Sequence, residues 1–472
     1  MSMKSRYDAV VVGSGPNGLA AAITLAQAGR SVVVYEAQAT IGGGARSTEL
    51  TLPGFLHDTC SAVHPLAIDS PFFRTLPLRR YGLEWIHSPA ALAHPMDEEP
   101  AVILHSSLET TAGGLGSDRD AYLRLFQPLV EKWEEIQHDA LGPPRWPKHP
   151  VTLARFGMRA LWPAARQADM VFRTARARAL FAGICAHSAV PLEWMATSAI
   201  GLVLTLAAHA HGWPIPRGGA RAISDALAAH LKSLGGEIVA SASVKTLAQL
   251  PPSQAVLFDL TPRQILAIAG LRLTSGYREQ LSAFRHGPGV FKLDWALKGP
   301  IPWKDSACAS AATVHLGDSL PEIAHSERAC WKNTVVEKPF VLLAQPSLFD
   351  STRAPEGRHT AWAYCHVPNG SEADCADLIE NQIERYAPGF RDLVLARSEM
   401  NSRRLEQGNA NLAGGDISGG ANMLSQIFFR PTFSHYTTSD PGLYICSSST
   451  PPGGGVHGLC GYFAARKALE VI

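Results

Sequence analysis

Charged side chains are scarce in this sequence: they make up 18% of its 472 residues, and 42 basic residues are balanced by 41 acidic ones. This balance provides no basic surface for nucleic acid, so we expect no nucleic-acid partner and leave only a transient membrane contact open. Apolar residues make up 46% of the chain. Because the length exceeds that of one compact core, we expect two domains with large apolar interiors.

Cysteine is present but not clustered. The eight cysteines are scattered, and no C-x-x-C pair occurs among them. A zinc ribbon and a dithiol redox motif are therefore excluded, no metal site is expected, and a reduced, cytoplasmic location is the simplest expectation. The apolar run from Ala9 to Val12 ends at a glycine, so it is too short for a signal peptide.

The most apolar stretch of the sequence lies between Trp194 and His211, and it nearly reaches the length of a membrane span. Polar residues interrupt this stretch, among them Thr205 and His209. We therefore predict a buried helix that lines the second domain and not a transmembrane helix.

The stretch from Tyr7 to Ser47 organises the rest of the sequence. Tyr7 to Val12 is a short apolar run typical of a buried parallel strand, and a helix of small residues follows it. Ser31 to Tyr35 has the composition of a second strand, which ends at Glu36. The order of strand, glycine turn, helix and strand is that of a βαβ unit.

The glycine turn of this unit has the G-x-G-x-x-G spacing of a dinucleotide-binding loop. Gly13 allows the tight turn, Gly15 lets the backbone approach a pyrophosphate, and Gly18 lets the helix pack on the strand. Glu36 stands at the spacing from which a carboxylate reaches a ribose hydroxyl. The loop predicts a bound dinucleotide but does not separate NAD from FAD. The expected contacts are Gly13, Gly15, Pro16, Asn17, Gly18, Glu36 and Ala37.

A second glycine cluster follows the second strand. It contains Gly42, Gly43 and Gly44 and continues with Arg46 and Ser47. This cluster resembles the GG-x-x-R-S/T motif of flavoproteins in the amine oxidase and phytoene desaturase superfamily. The resemblance implies that the glycines pass close to the FAD pyrophosphate and that an arginine lies beside it. FAD is therefore the expected cofactor.

Three later segments extend the resemblance to the phytoene-desaturase-like FAD oxidoreductases. P-R-G-G at 216–219 precedes a helix and a strand that runs to Val244, and the resemblance places the Val244 backbone at the adenine. Val290 to Leu297 is a long strand. The glycine loop at 452–458 precedes a closing helix whose N-terminus, in this superfamily, faces the flavin. The contacts implied there are Gly454, Gly455 and Val456.

The resemblance also implies the fold class and its division along the chain. It implies an α/β protein with a Rossmann-like FAD domain of the para-hydroxybenzoate-hydroxylase-like type and a mixed α+β substrate domain. The FAD domain would comprise residues 1–75, 212–275 and 415–472. The substrate domain would comprise residues 76–211 and 276–414.

Lys292, His64 and His457 are the candidate catalytic residues. Lys292 shares a strand face with Asp294. In amine oxidases a lysine on the similar strand points at flavin N5, so the resemblance implies the same role for Lys292. An ion pair with Asp294 is the alternative interpretation. For His64, the alternative is a hydrogen-bonded loop histidine.

The leading functional hypothesis is an FAD-dependent oxidoreductase that desaturates or isomerises an apolar substrate, such as a polyene or a cyclic molecule, by hydride transfer to flavin N5. Because the sequence has one dinucleotide fingerprint, we expect oxygen, a quinone or another acceptor to reoxidise the flavin. A flavin amine oxidase is the alternative; it should show aromatic residues paired over the flavin, for which Tyr462 is one candidate. A second alternative is a lipid-binding carrier of the GDP-dissociation-inhibitor type without flavin, against which the intact glycine loops argue.

Overall fold

The computed structural model describes residues 5–472. Within this range the chain forms sixteen strands and seventeen α-helices. The strands are β1 Ala9–Val12, β2 Val32–Tyr35, β3 Ser47–Glu49, β4 Leu56–Asp58, β5 Trp85–Ile86, β6 Ala90–His94, β7 Val102–Leu104, β8 Ile215–Pro216, β9 Glu237–Val239, β10 Ala255–Phe258, β11 Gly289–Leu297, β12 Ala311–Leu316, β13 Val341–Ala344, β14 His359–Val367, β15 Val394–Met400 and β16 Leu443–Ile445.

The helices are α1 Pro16–Gln27, α2 Pro65–Ile68, α3 Leu108–Gly113, α4 Arg119–Val130, α5 Trp133–Ala140, α6 Pro150–Ala160, α7 Ala164–Val171, α8 Ala175–Cys185, α9 Thr197–His211, α10 Arg221–Ser233, α11 Pro262–Ala269, α12 Ser275–Ser282, α13 Leu320–Trp331, α14 Ala376–Tyr386, α15 Ser402–Gly408, α16 Leu424–Phe428 and α17 Leu459–Ala468.

The first large sheet is parallel and contains five strands in the order β16-β10-β1-β2-β9. Its central strands β1, β2 and β10 are fully buried, which explains their continuous apolar sequences. Helix α1 packs between α10 and α17 against this sheet. At Gly461 of α17 an added Cβ would overlap the Asn17 carbonyl, so this glycine allows the two helices to meet.

The second large sheet is mixed and contains seven strands in the order β15-β11-β14-β13-β12-β6-β7. Strands β12 and β6 run parallel, and the other neighbours run antiparallel. Helices α4 to α9 form an apolar layer that packs against this sheet, with Phe126, Phe181 and Leu206 in its core. The Rossmann-like parallel sheet and the mixed second sheet confirm the predicted fold class.

Two helix boundaries differ from those that the sequence predicts. The apolar periodicity predicts one amphipathic helix from Asp118 to Leu141, but the segment forms two, α4 and α5: Pro128, which has no N–H to donate, lies in the last turn of α4, and the chain makes a tight turn after it. A serine cap predicts a second helix from Ser371 to Tyr386, but this helix begins at Ala376, where the Asp374 carboxylate accepts the Ala376 N–H. Among the helices described here, none is both long and apolar enough to cross a membrane.

Candidate functional site

One large cavity of about 1150 Å³ runs from the carboxyl end of the parallel sheet to the inner face of the mixed sheet. Its wall contains most of the residues that the sequence predicts at a dinucleotide and two of the three catalytic candidates. These are Gly13, Gly15, Pro16, Asn17, Glu36, Ala37, Gly43, Gly44, Arg46, Val244, Gly454, Gly455 and Val456, together with His64 and His457. Within residues 5–472, Gly18, Gly42, Ser47 and Lys292 lie behind this wall.

The first glycine loop has the geometry that its sequence predicts. Gly13 has φ +106°, a left-handed conformation that side chains rarely adopt. At Gly18 an added Cβ would overlap the Gly13 carbonyl, so this position has no room for a side chain. The loop therefore turns from β1 into α1 and leaves the first turn of the helix open to the cavity.

Glu36 directly follows β2 and hydrogen-bonds to the first glycine loop. Its Oε2 accepts the Ser14 N–H at 3.0 Å and the Ser14 hydroxyl at 2.5 Å, and its Oε1 accepts the Gln38 N–H at 2.9 Å. The side chain is 8% exposed and lines the cavity. Glu36 is thus fixed in place by the protein while one side of its carboxylate stays open to a ligand.

Asp259 is a second buried acid at this end, one residue past β10. Its Oδ2 accepts the Gly18 N–H at 3.0 Å, and a Cβ added at Gly15 would lie 2.5 Å from the same oxygen. Burial, together with the charge of Glu36, raises the pKa of Asp259 to about 7. The sequence interpretation missed Asp259, although its place at a strand end, like that of Glu36, was a usable signal.

The second glycine loop touches the first. A Cβ added at Gly43 would lie 3.1 Å from the Gly15 Cα, so both loops approach as bare backbone. Arg46 donates from Nε to the Gly43 carbonyl at 2.8 Å and lines the cavity. Ser47 points elsewhere: its hydroxyl donates to Asp58 Oδ1 at 2.6 Å. Ser47 therefore positions the β3–β4 hairpin in this structure.

The C-terminal glycine loop closes the same end of the cavity. His457 is 2% exposed, and its Nδ1 accepts the Leu459 N–H at 3.1 Å, at the start of α17. Burial lowers the pKa of His457 to about 4, so the ring is neutral at ordinary pH. Its Nε2 is sealed from water and has no partner in the described chain.

Arg430 lies beside this loop, and sequence interpretation missed it. The guanidinium is 1% exposed, and Nη2 donates to the carbonyls of Gly419 at 3.0 Å and Ser448 at 2.9 Å. Within residues 5–472 it forms no ion pair, and its buried Nε has no hydrogen-bond partner. Burial lowers the pKa of Arg430, and the residue lines the cavity. An unpaired buried cation of this kind favours an anionic ligand.

Lys292 is buried on β11 and forms an ion pair with Asp294, as the alternative interpretation of its sequence proposed. Its Nζ lies 5.6 Å from the centre of the Trp362 ring. Burial raises the pKa of Asp294 to about 6, although Lys292 opposes this shift. The lysine therefore lies one layer behind the cavity wall, and its role at a flavin stays a prediction.

His64 lines the cavity at the start of α2. It is 3% exposed, its Nε2 has no partner among residues 5–472, and burial lowers its pKa to about 4. The backbone N–H of His64 donates to the Pro214 carbonyl at 2.9 Å. The ring is neutral and its Nε2 is sealed, and the catalytic role of His64 stays a prediction.

The far part of the cavity is an apolar chamber, defined here by the side chains of α6, α9, β13 and β14 that line it. Its aliphatic wall, from α6 and α9, contains Leu153, Ala199, Ile200, Val203 and Leu204. Its sheet wall carries Leu342 of β13 and every second residue of β14: Trp362, Tyr364 and His366. The Trp362 and Tyr364 rings are stacked, with centroids 5.6 Å apart.

His366 is the most polar group of this chamber. Its Nδ1 lies 2.8 and 2.9 Å from the two carboxylate oxygens of Glu327, which α13 holds fully buried. The sequence interpretation missed this pair. The alternation of Trp362, Tyr364 and His366 in a strand-like run was the signal that could have placed the ring on the cavity wall.

One group of side chains near the cavity mouth could hold a metal ion. The ligand atoms of His138, Asp139 and His149 all lie within 4.8 Å of one another. Asp139 already bonds both rings, at 2.7 Å to His138 Nδ1 and 3.2 Å to His149 Nδ1. The group is therefore satisfied by its own hydrogen bonds.

Comparisons with known proteins agree with this geometry. Residues 11–75 match the family model of an NAD(P)-binding Rossmann-like domain. The chain is 27% identical to mouse pyridine nucleotide-disulfide oxidoreductase domain-containing protein 2, over 99% of this chain and 94% of that protein. It is 24% identical to a Streptomyces griseus phytoene dehydrogenase, over 83% of this chain and 78% of that enzyme.

The fold is similar to that of solved amine oxidases. A redesigned putrescine oxidase superposes with a TM-score of 0.65 at 17% identity, and the match covers 98% of this chain and 99% of that one. At this identity the likeness concerns the fold alone. The curated relatives confirm the resemblance to the phytoene desaturases, and the solved amine oxidases confirm the fold.

Proposed function

We propose that this relative of the phytoene desaturases, with the fold of the amine oxidases, is an FAD-dependent oxidoreductase. Its substrate would be an apolar molecule in the apolar chamber, and the reaction would be a desaturation or an isomerisation. The observation that carries the proposal is the continuity of the cavity: the glycine loops and the apolar chamber are parts of one space. A ligand that filled the loops would therefore be in direct contact with a substrate in the chamber.

The residues at the loop end fit FAD. Two backbone surfaces, at Gly15 and Gly43, face each other with no room for side chains, which suits a pyrophosphate. Glu36 offers a fixed carboxylate to the ribose hydroxyls, and Val244 lines the cavity where the adenine is expected. Arg430 offers a buried positive charge beside the C-terminal loop. FAD, when bound, would supply a two-electron acceptor.

The residues of the chain would bind and shield the substrate. The aliphatic wall excludes water and favours hydrocarbon, at about 0.8 kcal/mol for each buried methylene group. Electrons would leave to oxygen, a quinone or another acceptor. The FAD domain of 1–75, 212–275 and 415–472 and the substrate domain of 76–211 and 276–414 would meet at this cavity.

The entrance of the cavity is apolar, which suits delivery of such a substrate. Leu161 and Phe428 line the cavity and are nevertheless 40% and 42% exposed. Met158 and Phe433 are also exposed, at 64% and 71%. We propose that a transient contact of this rim with a lipid surface delivers the substrate.

Amine oxidation is the second candidate, and one observation favours it. Trp362 and Tyr364 line the cavity as a pair of stacked aromatic rings, and this hypothesis requires such a pair over the flavin. Tyr462 does not contribute to such a pair: it packs against Phe72 with ring centroids 5.2 Å apart, and it is not among the described residues that line the cavity. The aromatic pair would receive an alkyl amine.

The spectrum of the purified protein is the first test. The protein should show flavin absorption bands and release FAD on denaturation. A colourless protein that added FAD does not reconstitute would contradict the proposal and favour the lipid-binding carrier.

The substrate class is tested by anaerobic reduction of the bound flavin with polyenes, cyclic alkenes and alkyl amines. Leu204→Gln, in the chamber wall, should weaken substrate binding at least tenfold because it buries an amide in an apolar surface. Leu395→Gln is the matched control, since Leu395 is exposed on β15. Equal loss in both variants would contradict the chamber as the substrate site.

A further inference from the structure

Strand β14 presents one imidazole ring to the apolar chamber, that of His366. The ring is 3% exposed, and the residues beside it are mainly apolar or aromatic. A buried imidazole in such surroundings must have a partner for each polar nitrogen, or its burial costs free energy.

The Nδ1 side of the ring is fully satisfied. Glu327 is 0% exposed, and both its oxygens lie within hydrogen-bond distance of Nδ1, at 2.9 and 2.8 Å. His366 is also the one ion-pair partner of Glu327 within residues 5–472. Because an ionised carboxylate only accepts hydrogen bonds, an ionised Glu327 requires a proton on Nδ1. In the neutral form of the ring the lone pair is then on Nε2.

The Nε2 side is left for a ligand. In the described part of the chain Nε2 receives no hydrogen bond, and it is not among the side-chain atoms sealed from the cavity, in contrast to Nε2 of His64. His187, whose Nε2 lies 3.0 Å from that of His315, also lines the cavity. A wholly hydrocarbon substrate would leave Nε2 of His366 unpaired.

We propose that His366, held by Glu327, binds a hydroxyl or amine group of an otherwise apolar substrate and accepts its proton. The O–H bond of the alcohol, or an N–H bond of the ammonium form of the amine, breaks, its electron pair stays on the oxygen or nitrogen, and the proton moves to Nε2. The buried carboxylate of Glu327 stabilises the imidazolium that forms, so Glu327 is a positioning residue. This inference rests on the proposed function and deepens it: the substrate has a hydrogen-bond donor, and the chamber binds its hydrocarbon part.

The test compares matched ligands that differ in one donor. Decan-1-ol, its methyl ether and decan-1-amine are titrated into the FAD-loaded protein by calorimetry, a binding readout that needs no turnover. In the wild type, the alcohol or the amine should bind at least about tenfold more tightly than the ether, because the ether leaves Nε2 buried and unpaired. Preference for the alcohol or for the amine identifies the group. Equal affinities for all three ligands would overturn the proposal.

Variants assign the preference to the ring. His366→Phe should reduce the ratio of donor to ether affinity to about one while the ether affinity stays within about twofold. Glu327→Gln should leave an intermediate ratio, since the amide still orients the ring but carries no charge. His359→Phe, at the partly buried start of the same strand and outside the cavity lining, is the matched control and should keep the wild-type ratio. A ratio of donor to ether affinity in His366→Phe equal to that of the wild type would overturn the proposal. His366→Gln repeats the measurement if the phenylalanine variant does not fold.

Flavin absorbance is recorded in the same samples, so failure of the proposed function is visible separately. A protein without flavin that still prefers the donor ligands would contradict the oxidoreductase and leave the binding role of His366 standing. A flavoprotein without that preference would contradict the role of His366 alone.

Discussion

The two ends of the cavity are built in different ways. The loop end is made from backbone: Gly13, Gly15 and Gly43 bring bare peptide groups together, and Glu36 holds them. The chamber end is made from side chains of α6, α9, β13 and β14, with Glu327 reaching in from α13. A loop of glycines tolerates little change because each position lacks room. A wall of side chains can change its substrate by substitution while the fold stays the same.

Lys292 lies between the two ends, and its substitution should have the largest effect, a loss of stability. Lys292→Met would leave Asp294 buried without its cation, which should lower the free energy of unfolding by about 3–5 kcal/mol. Urea denaturation measures this loss. The double variant Lys292→Met/Asp294→Asn removes both charges and should recover most of the stability. A loss below about 1 kcal/mol in the single variant would show that the pair contributes little.

The same double variant sharpens the role of Lys292 at a flavin. If the ammonium acts on the flavin through the layer at Trp362, flavin turnover should slow roughly a hundredfold while FAD stays bound. Stopped-flow reoxidation measures the rate, and absorbance after dialysis measures retention. Unchanged turnover in a stable double variant would show that Lys292 has a structural role only. The catalytic residues would then have to be sought in the chamber.

Arg430→Met tests whether the loop end of the cavity affects the flavin itself and not only its phosphates. Arg430→Met removes the buried charge beside the C-terminal glycine loop and should lower the flavin midpoint potential by roughly 30–65 mV. This range corresponds to about 1.5–3 kcal/mol for a charged hydrogen bond in a two-electron couple. Spectroelectrochemistry gives the potential. Arg466→Met, on the last turn of α17, is an exposed control, and an equal shift there would exclude a local effect.

Glu36 should contribute a smaller amount, at the ribose. Glu36→Ala should weaken FAD binding roughly tenfold, since a charged acceptor of hydroxyl groups contributes about 1.5–3 kcal/mol. Glu36→Gln keeps the shape of the side chain and its contact with Ser14. Its FAD affinity should therefore lie between those of the wild type and Glu36→Ala. FAD retention after dialysis is the measurement, and full retention in the alanine variant would contradict the assignment.

The smallest effect expected is a pH dependence from Asp259. Its pKa is raised to about 7, so the carboxyl becomes charged between about pH 6 and pH 8, next to the loop proposed to bind a diphosphate. FAD affinity should fall severalfold over this range because like charges repel. Since the folded pKa lies above the unfolded one, the stability from protonated Asp259 is complete below about pH 4 and is lost as the pH rises through about 7. Asp259→Asn should flatten both profiles in fluorescence titrations; a pH dependence equal to that of the wild type would exclude Asp259 as its source.

The contrast between the ends also explains which residues sequence interpretation found. Glu36 and Gly43 lie within about 30 residues of Gly13 on one βαβ unit, so spacing alone predicted their neighbourhood. Asp259 reaches Gly18 only because β10 pairs with β1 in parallel register. That pairing is a property of the sheet and is not encoded in either segment by itself.

By itself, the sequence determined the local elements with strong constraints: the glycine turn at Gly13, the buried strand β1 and the helix α1, where spacing and composition permit few conformations. It also predicted a dinucleotide at these loops, and the resemblance of the second loop made FAD the expected one. The tertiary structure alone decided which side chains share a space. Trp362, Tyr364 and His366 face the cavity because β14 pairs with β11 and β13 in one register, and a shift by one residue would turn them all away. Glu327 meets His366 across 39 residues of chain because α13 packs on the sheet, and that contact depends on long-range packing.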